Sequence, residues 1–183
     1  MLEVVESWFG DEDLVVFLNR HFTYQTPHHY IEYADSNNAP QSIYLKRHVQ
    51  ETDSEIFYSF DFRPNDPLIK FIVIKAMETI AELTGCDPLS LQSERVHLTV
   101  QHPGQDIGEH QDHGDITAVY TAAAPGGGDF VFDTDQGTRS VPFRDNTLFV
   151  FDGKQRHRAL APQARRPRVL LVMKFRRTRP EGW

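Results

Sequence analysis

Five short apolar runs in the second half of this 183-residue chain constrain its fold more than any other feature. Glycine, proline, aspartate and asparagine cluster between the runs, which is typical of turns. Each run has the length of a strand and is too short for an average helix. The pattern predicts an antiparallel, turn-rich sheet system, either a sandwich or a barrel. The runs span residues 95–101, 116–122, 129–133, 147–151 and 168–175.

The first half of the chain contains two predicted helices and two predicted strands. Residues 11–20 begin with acids and end with a base, which suits the dipole of a helix. A second helix is predicted to begin after Asp66, a capping residue, and to end at Gly85. β-Branched and aromatic residues predict strands at 42–49 and 55–62. The predicted core-facing side chains of the second helix are Leu68, Ile69, Ile72, Met77, Ile80 and Leu83.

The order of these elements predicts the fold class. Helices first and strands afterwards indicate an α+β fold, in which N-terminal helices buttress one sheet of a jelly roll. No linker or repeat divides the chain, so we expect a single domain over residues 1–183. Residues 1–90 would supply helical support and a lid, with the lid at 32–62, and residues 91–179 would form the core of the domain.

Composition limits the kinds of metal site, cellular location and partner that the chain is expected to have. A single cysteine, Cys86, excludes an internal disulfide and a cysteine-based zinc site, and it suits a reducing, cytoplasmic location. We find no apolar run of membrane-spanning length and no signal-peptide pattern. The net charge is −7, yet residues 154–179 hold ten of the 19 Lys and Arg residues and no acid. This basic block can mark a nucleic-acid partner, but its interrupting apolar residues favour a solvated surface with one or two buried members.

Three residues form a candidate metal site. His110 and Asp112 are two positions apart, and alternate residues of an extended strand point to the same side. His157 follows a predicted strand 45 residues after Asp112. Two imidazoles and one carboxylate on one face of a metal leave the opposite positions open, as in Fe(II) sites that use O2. Arg168 opens the last apolar run, and its guanidinium suits the far carboxylate of a dicarboxylate co-substrate.

Residues 98–175 resemble the catalytic core of the prolyl 4-hydroxylase-like branch of the 2-oxoglutarate oxygenases. The motifs that carry the resemblance are Gly104-Gln105, His110-x-Asp112, Gly127-Gly128-Asp-Phe-Val-Phe132, His157, Pro162 and Arg168. The resemblance implies a double-stranded β-helix that is cupin-like in architecture. It implies Fe(II) on His110, Asp112 and His157, with 2-oxoglutarate held by Arg168. It also implies hydroxylation by O2 with release of succinate and CO2, often with ascorbate keeping the iron reduced.

The sequence departs from that family in two places and leaves one alternative open. Gln101 stands where many members carry a tyrosine that helps to bind 2-oxoglutarate, and we expect it to take part in co-substrate binding. Arg165 and Arg166 are alternative candidates for binding the carboxylate of the co-substrate, although they look like turn residues. His113-x-Asp115 is a second H-x-D pair. The first pair is favoured because His110 stands six residues after Gly104, which is the spacing of the family motif. Gly126–Gly128 is expected to let a strand start close to a neighbouring chain.

The substrate is the least constrained part of the prediction. By analogy with the branch, we expect a peptide or protein side chain, most simply a prolyl residue. An AlkB-type oxidative demethylation or hydroxylation of nucleic acid is the alternative, favoured by the basic block and opposed by the overall acidity. A non-catalytic cupin-like metal-binding module and a zinc hydrolase would also use His and Asp. Neither of these requires an arginine that opens a strand eleven residues after His157, as Arg168 does.

Overall fold

The computed structural model describes residues 1–25, 45–49, 56–61 and 66–178, and these contain two α-helices and eleven strands. The helices are α1 (Glu12–Arg20) and α2 (Pro67–Thr84), with a π-helical turn at His21–Gln25 and a 3-10 turn at Pro88–Ser90. The strands are β1 (Leu2–Val5), β2 (Leu45–Val49), β3 (Ile56–Asp61), β4 (Leu91–Gln101), β5 (Ile107–His110), β6 (Ile116–Ala123), β7 (Asp129–Thr134), β8 (Gly137–Pro142), β9 (Thr147–Asp152), β10 (His157–Ala159) and β11 (Arg168–Arg177).

The strands form two antiparallel sheets. The larger sheet has the order β1-β9-β6-β11-β4-β3-β2, and the smaller one has the order β5-β10-β7-β8. Aromatic and aliphatic side chains from both sheets, among them Phe130, Phe149 and Leu170, pack in one buried cluster. The double-stranded β-helix, or jelly roll, that was predicted from the sequence is therefore confirmed.

Strand β11 shows how the large sheet separates two layers of core. Val169, Leu171 and Met173 are buried in the cluster that also contains the helices. Leu170 and Val172, which alternate with them, belong to the cluster shared with the small sheet. This division follows from the two-residue period of a strand. Leu170 and Val172 therefore face the space between the two sheets.

The helices cover the outer face of the large sheet, as expected of N-terminal helices that buttress it. The Asp66 carboxylate caps α2 by accepting from the backbone N–H groups of Leu68 and Ile69, and Gly85 ends it in the left-handed conformation with φ +69°. Ile69, Ile72 and Ile80 are buried, and Leu68 and Met77 pack against the core. The prediction for Leu83 was wrong, because this side chain is 39 % exposed.

Some predictions fall on parts of the chain for which the structure gives little or nothing. Most of the candidate lid at 32–62 lies outside the described residues, apart from the backbone of β2 and β3. Those two strands occupy most of the two stretches predicted as strands, and they extend the large sheet beyond β4. Among the described residues, neither helix has the length and apolarity needed to span a bilayer.

Candidate metal centre and its cavity

The pairing of β5 with β10 brings the two candidate histidines together. His110 ends β5, His157 begins β10, and the two are register partners across the antiparallel pair. Their ring centroids lie 4.3 Å apart. Asp112 follows β5 by two residues, and its backbone N–H donates to the carbonyl of Gly153 at 2.8 Å. One potential ligand atom from each of the three residues lies within 4.8 Å of the others.

Both imidazoles are oriented by backbone carbonyls. The Nδ1 atom of His110 lies 2.8 Å from the oxygen of Gly108, and Nδ1 of His157 lies 2.8 Å from the oxygen of Gln155. Because a carbonyl oxygen only accepts, Nδ1 carries the proton in each ring and the Nε2 lone pair is left for a metal. Both acceptors belong to the residue two positions before the histidine. They are main-chain atoms, so the identity of those residues gave no indication of the contact.

Asp112 is held by two side chains that the sequence analysis did not single out. Its Oδ2 accepts from the Thr117 hydroxyl at 2.8 Å, and its Oδ1 lies 2.6 Å from Nζ of Lys174. Oδ2 is also 3.7 Å from Nε2 of His157. Burial raises the pKa of Asp112, but the charge and hydrogen bond of Lys174, with His157 and Thr117, outweigh it and lower the pKa below its ordinary value. The carboxylate is therefore ionised at neutral pH and available to a cation.

His157 lies in an aromatic environment that keeps its ring neutral. Phe151 contacts it edge-on at 4.7 Å between ring centroids, and Phe130 does the same at 5.5 Å. Burial, followed by the nearby His110, lowers the pKa of His157 below its ordinary value, although the carbonyl of Gln155 and the charge of Asp112 oppose the shift. A neutral imidazole is the form that binds a metal.

The donor set and its surroundings suit Fe(II). Two imidazole nitrogens and one carboxylate oxygen on one side of an ion form the 2-His-1-carboxylate arrangement, and these ligands are borderline to hard, as divalent iron prefers. Among the described residues, this trio is the one group of three His, Cys, Asp or Glu side chains close enough to hold an ion. Cys86 is not part of it, so the chemistry of the site is that of nitrogen and oxygen ligands.

The alternative pair, His113 and Asp115, is not assembled in the same way. The side chain of His113 is exposed. Asp115 turns away, and its Oδ2 accepts from the backbone N–H of Arg177 at 2.8 Å. Neither side chain belongs to the trio that could hold an ion.

A cavity of about 300 Å³ opens beside the three candidate ligands. Its inner part is apolar and lies between the two sheets, with Val119, Phe130, Leu170 and Val172 among its walls. Its other part is polar. The polar side chains that line it, besides the three candidate ligands, are Arg95, His97, Thr99, Gln111, His113 and Lys174.

Arg168 is buried behind the apolar wall and does not line the cavity in this structure. It is 1 % exposed, and its guanidinium carbon lies 3.8 Å from the ring centre of Phe143, which stacks on the cavity residue Phe130. Its four hydrogen bonds go to neutral acceptors, namely Gln101 Oε1 and the carbonyls of Gly127, Gly128 and Leu160. Burial lowers the pKa of Arg168 to about 10, partly offset by the charge of Asp129, so the group remains a cation at neutral pH.

The positive charge of Arg168 is not fully balanced by its hydrogen-bond partners. None of its hydrogen-bond acceptors is a carboxylate, and its Nε is buried with no partner among the described residues. A buried cation that has only neutral acceptors is incompletely compensated. The residue therefore fits a carboxylate ligand, while its assignment to 2-oxoglutarate stays a prediction.

Gln101 contacts Arg168 rather than the cavity. Its Oε1 accepts from Arg168, and its Nε2 donates to the carbonyls of Gln105 and Ala159 at 2.7 and 3.0 Å. The structure thus gives it a role in orienting the guanidinium, and direct binding of a co-substrate stays a prediction. Arg165 and Arg166 are exposed, as expected of turn residues.

Gly127 and Gly128 let the chain pass close to the segment that follows β10, as the sequence predicted. At Gly128, where φ is +67°, an added Cβ would lie 2.2 Å from the carbonyl oxygen of Ala161 and 2.5 Å from that of Leu160. Since the carbonyls of Gly128 and Leu160 both accept from Arg168, this close approach forms the pocket that holds the guanidinium.

We expect Gly128→Ala to lower the free energy of unfolding by at least about 2 kcal/mol, because left-handed strain and a clash with backbone atoms add together. Gly85→Ala is the matched control, since Gly85 has a similar φ of +69° and nothing within 4 Å of an added Cβ. The control should cost about 1–2 kcal/mol. Urea denaturation of both variants measures the difference, and equal losses would contradict the close-approach explanation.

Five of the ten Lys and Arg residues of the basic block are seen to be paired with an acid or buried in the described part of the chain. Arg156 and Arg158 contact Glu109 at 2.6 and 3.9 Å, and Arg176 contacts Glu94 at 2.6 Å. Lys174 and Arg168 lie inside, as described above. The interpretation of the block as a solvated surface with one or two buried members agrees with these contacts.

Comparison with known proteins rests on the fold alone. No protein-family model matches the sequence, and no curated protein matches it either. Among solved structures, a Pseudomonas putida prolyl-4-hydroxylase superposes with a TM-score of 0.71 at 19 % identity, covering 96 % of this chain and 92 % of the other. A prolyl hydroxylase from Trichoplax adhaerens, in complex with a peptide fragment of a hypoxia inducible factor, gives a TM-score of 0.66 at 10 % identity, covering 96 % and 83 %.

A third solved structure is the epimerase SnoN in complex with Fe3+, alpha ketoglutarate and nogalamycin RO. It gives a TM-score of 0.65 at 11 % identity and covers 100 % of this chain and 82 % of the other. Two of these proteins are prolyl hydroxylases and the third is an epimerase, so the feature that all three share with this chain is the architecture. The chain has the double-stranded β-helix fold of the prolyl 4-hydroxylases and other 2-oxoglutarate-dependent non-haem iron oxygenases.

Proposed function

We propose that this chain is an Fe(II)- and 2-oxoglutarate-dependent dioxygenase that hydroxylates a C–H bond, with release of succinate and CO2. The observation that carries the proposal is the trio His110, Asp112 and His157, whose ligand atoms converge within 4.8 Å at the polar end of a cavity between the two sheets. The similarity of fold to structures that contain iron and 2-oxoglutarate supports it.

Each part of the site has a task in this proposal. His110 and His157 offer Nε2 because their Nδ1 atoms donate to backbone carbonyls, and Asp112 offers a carboxylate that is ionised at neutral pH. Bound iron and 2-oxoglutarate would supply the activation of O2. The apolar wall formed by Phe130, Leu170 and Val172 would limit the access of water to the region next to the metal. Arg168 would compensate the far carboxylate of 2-oxoglutarate.

For the substrate, we propose a peptide or protein side chain, most simply a prolyl residue. The support is the fold neighbour that was solved with a peptide. Nucleic acid is less well supported, since Arg156, Arg158 and Arg176 of the basic block contact Glu109 or Glu94. A non-catalytic cupin-like module would bind the metal and turn nothing over.

The test is succinate formation by the Fe(II)-loaded protein with 2-oxoglutarate, O2 and ascorbate, in the presence of proline-containing peptide pools or oligonucleotide pools. We expect peptides to stimulate succinate release and to gain the mass of one oxygen atom, as read by mass spectrometry. Stimulation by oligonucleotides alone would favour the nucleic-acid alternative. Iron binding without 2-oxoglutarate binding or turnover would support the non-catalytic module and contradict the proposal.

A further inference from the structure

Two connections cross from one sheet to the other beside the candidate metal centre. Residues 111–115 join β5 to β6, and residues 153–156 join β9 to β10. Because β5 pairs with β10 in the small sheet and β6 pairs with β9 in the large sheet, the two connections are neighbours. His110 directly precedes the β5–β6 connection, Asp112 lies within it, and His157 directly follows the β9–β10 connection. The relative position of the two connections therefore sets the spacing of the three candidate ligands.

Hydrogen bonds to main-chain atoms join the two connections. The N–H of Asp112 donates to the carbonyl of Gly153 at 2.8 Å, and the N–H of Gly153 donates to the carbonyl of Asp115 at 3.0 Å. The side-chain Nε2 of Gln111 donates to the carbonyl of Lys154. The backbone of Asp112 is thus held by the β9–β10 connection and not only by its own strand.

At Gly153 the two connections approach more closely than a side chain allows. A Cβ added to Gly153 would lie 2.5 Å from the carbonyl oxygen of Gly114 and 3.1 Å from its carbonyl carbon. Both are main-chain atoms, so no change of rotamer relieves the contact. Gly114 is confined on its other side, because a Cβ there would lie 3.1 Å from the carbonyl oxygen of Phe175. The same oxygen accepts from the N–H of Asp115 at 2.8 Å. The β5–β6 connection is therefore enclosed between the β9–β10 connection and the end of β11.

A side chain at position 153 has to displace one connection or the other. Because a Cβ atom does not come within 3.0 Å of such an atom, the two backbones must separate by about 0.5 Å or more. The hydrogen bond from Asp112 to Gly153 changes in either case, since its two residues lie on opposite sides of the contact. A functional set of side chains has to be held within about 0.5 Å of its working geometry. The displacement is therefore large enough to disturb the spacing of Asp112 and His157.

We propose that Gly153 is a positioning residue of the metal site. Its missing side chain lets the two connections pack backbone against backbone, and this contact places the Asp112 carboxylate beside the two imidazoles. A ligand set that is already in place binds more tightly, because less reorganisation accompanies binding. The inference rests on the metal site of the proposed function and does not depend on the identity of the substrate.

The test compares Gly153→Ala with Gly10→Ala by calorimetric titration of the folded proteins with Mn(II). Gly10 is the matched control, since it has no positive φ and nothing within 4 Å of an added Cβ. We expect Gly153→Ala to weaken Mn(II) binding by about 10- to 100-fold, as the loss of groups that orient metal ligands does. Gly10→Ala should stay within about twofold of the parent.

A spectroscopic measurement separates positioning from stability. The visible absorption of bound Co(II) depends on the geometry of its ligands, so Gly153→Ala should shift or weaken the band of the parent, and Gly10→Ala should not. A residue with only a structural role would lower the urea midpoint of unfolding. It would leave the Mn(II) affinity of the folded protein and the Co(II) spectrum unchanged.

Gln111→Ala provides the test if Gly153→Ala does not fold. The variant removes the hydrogen bond to the Lys154 carbonyl without adding an atom, and Gln111 is exposed, so we expect it to fold. Its Mn(II) affinity should fall by about two- to tenfold, which is the range for one hydrogen bond. An unchanged affinity would contradict a positioning role for the contact between the connections.

The outcomes distinguish the inference from the proposed function. If folded Gly153→Ala binds Mn(II) and Co(II) as the parent does, or if Gly10→Ala loses as much affinity, the inference is wrong and the proposed function stands. If the parent binds metal but no 2-oxoglutarate, the proposed function is wrong, and the metal affinities of the variants still decide the inference. If the parent binds neither Mn(II) nor Co(II), both are wrong.

Discussion

Replacement of His157 or His110 by alanine is expected to remove divalent-metal binding and, with it, all 2-oxoglutarate turnover. Each residue supplies one of three ligand atoms that lie within 4.8 Å of one another. The loss should exceed the roughly 10- to 100-fold that removal of a ligand's hydrogen-bonding partner costs. Mn(II) titration by calorimetry and succinate release measure the two effects. The His110 variant should stay folded, because this side chain is only half-buried at the end of β5.

Asp112 requires a different variant, because its carboxylate also neutralises Lys174. Asp112→Asn keeps the shape and removes the charge, and it should abolish metal binding as the histidine variants do. It should also lower the free energy of unfolding by up to about 3 kcal/mol, since it leaves a mostly buried ammonium group without its partner. Chemical denaturation of the metal-free protein measures this cost.

His113→Ala is the matched control for the metal prediction. His113 is exposed and lies three residues after His110, in the rival H-x-D pair. The variant should bind Mn(II) as the parent does. If His113→Ala lost the metal while His110→Ala kept it, the registration of the motif would be wrong by three residues.

Replacement of Arg168 is expected to raise the 2-oxoglutarate requirement by roughly two orders of magnitude or more. Loss of one partner of a buried, hydrogen-bonded charge pair costs about 2–5 kcal/mol, and each ~1.4 kcal/mol is a factor of ten. Arg168→Lys should fall in between, because it keeps the charge but loses the planar fork. Iron binding should change little, because the three candidate ligands remain. The measurement is 2-oxoglutarate titration by succinate release or by the absorption band of the anaerobic complex.

Replacement of Arg168 is also expected to lower the free energy of unfolding. Arg168 donates to Gln101 and to the carbonyls of Gly127, Gly128 and Leu160, so its removal leaves buried acceptors unpaired. Affinities must therefore be measured on the folded fraction, for instance in a stabilising buffer at low temperature. Arg165→Ala and Arg166→Ala are controls, since both residues are exposed. If the folded Arg168 variant bound 2-oxoglutarate normally, the guanidinium would have only a structural role.

The strands of the core could be predicted where burial on both faces makes a run apolar. The five predicted apolar runs correspond to β4, β6, β7, β9 and β11. Four further strands, β1, β5, β8 and β10, have no counterpart among the predicted apolar runs. Strands β1, β5 and β10 have only three or four residues, and β1, β5 and β8 lie at sheet edges, so their sequences carry little of the apolar pattern of a core strand. The prediction that Leu83 faces the core failed, because it lies near the end of α2, which packs less closely there.

By itself, the sequence determined the fold class and the residues that could form a metal site. The two-residue period of buried strands and the spacing of the histidines, Asp112 and Arg168 are properties of the chain alone. Only the tertiary structure decided which groups surround these residues. The carbonyls that orient the imidazoles are main-chain atoms of any residue type, and the contact of Lys174 with Asp112 joins β11 to the loop after β5. Such contacts depend on the register between strands that are distant in the sequence. The sequence pattern does not specify that register, because many registers satisfy the pattern.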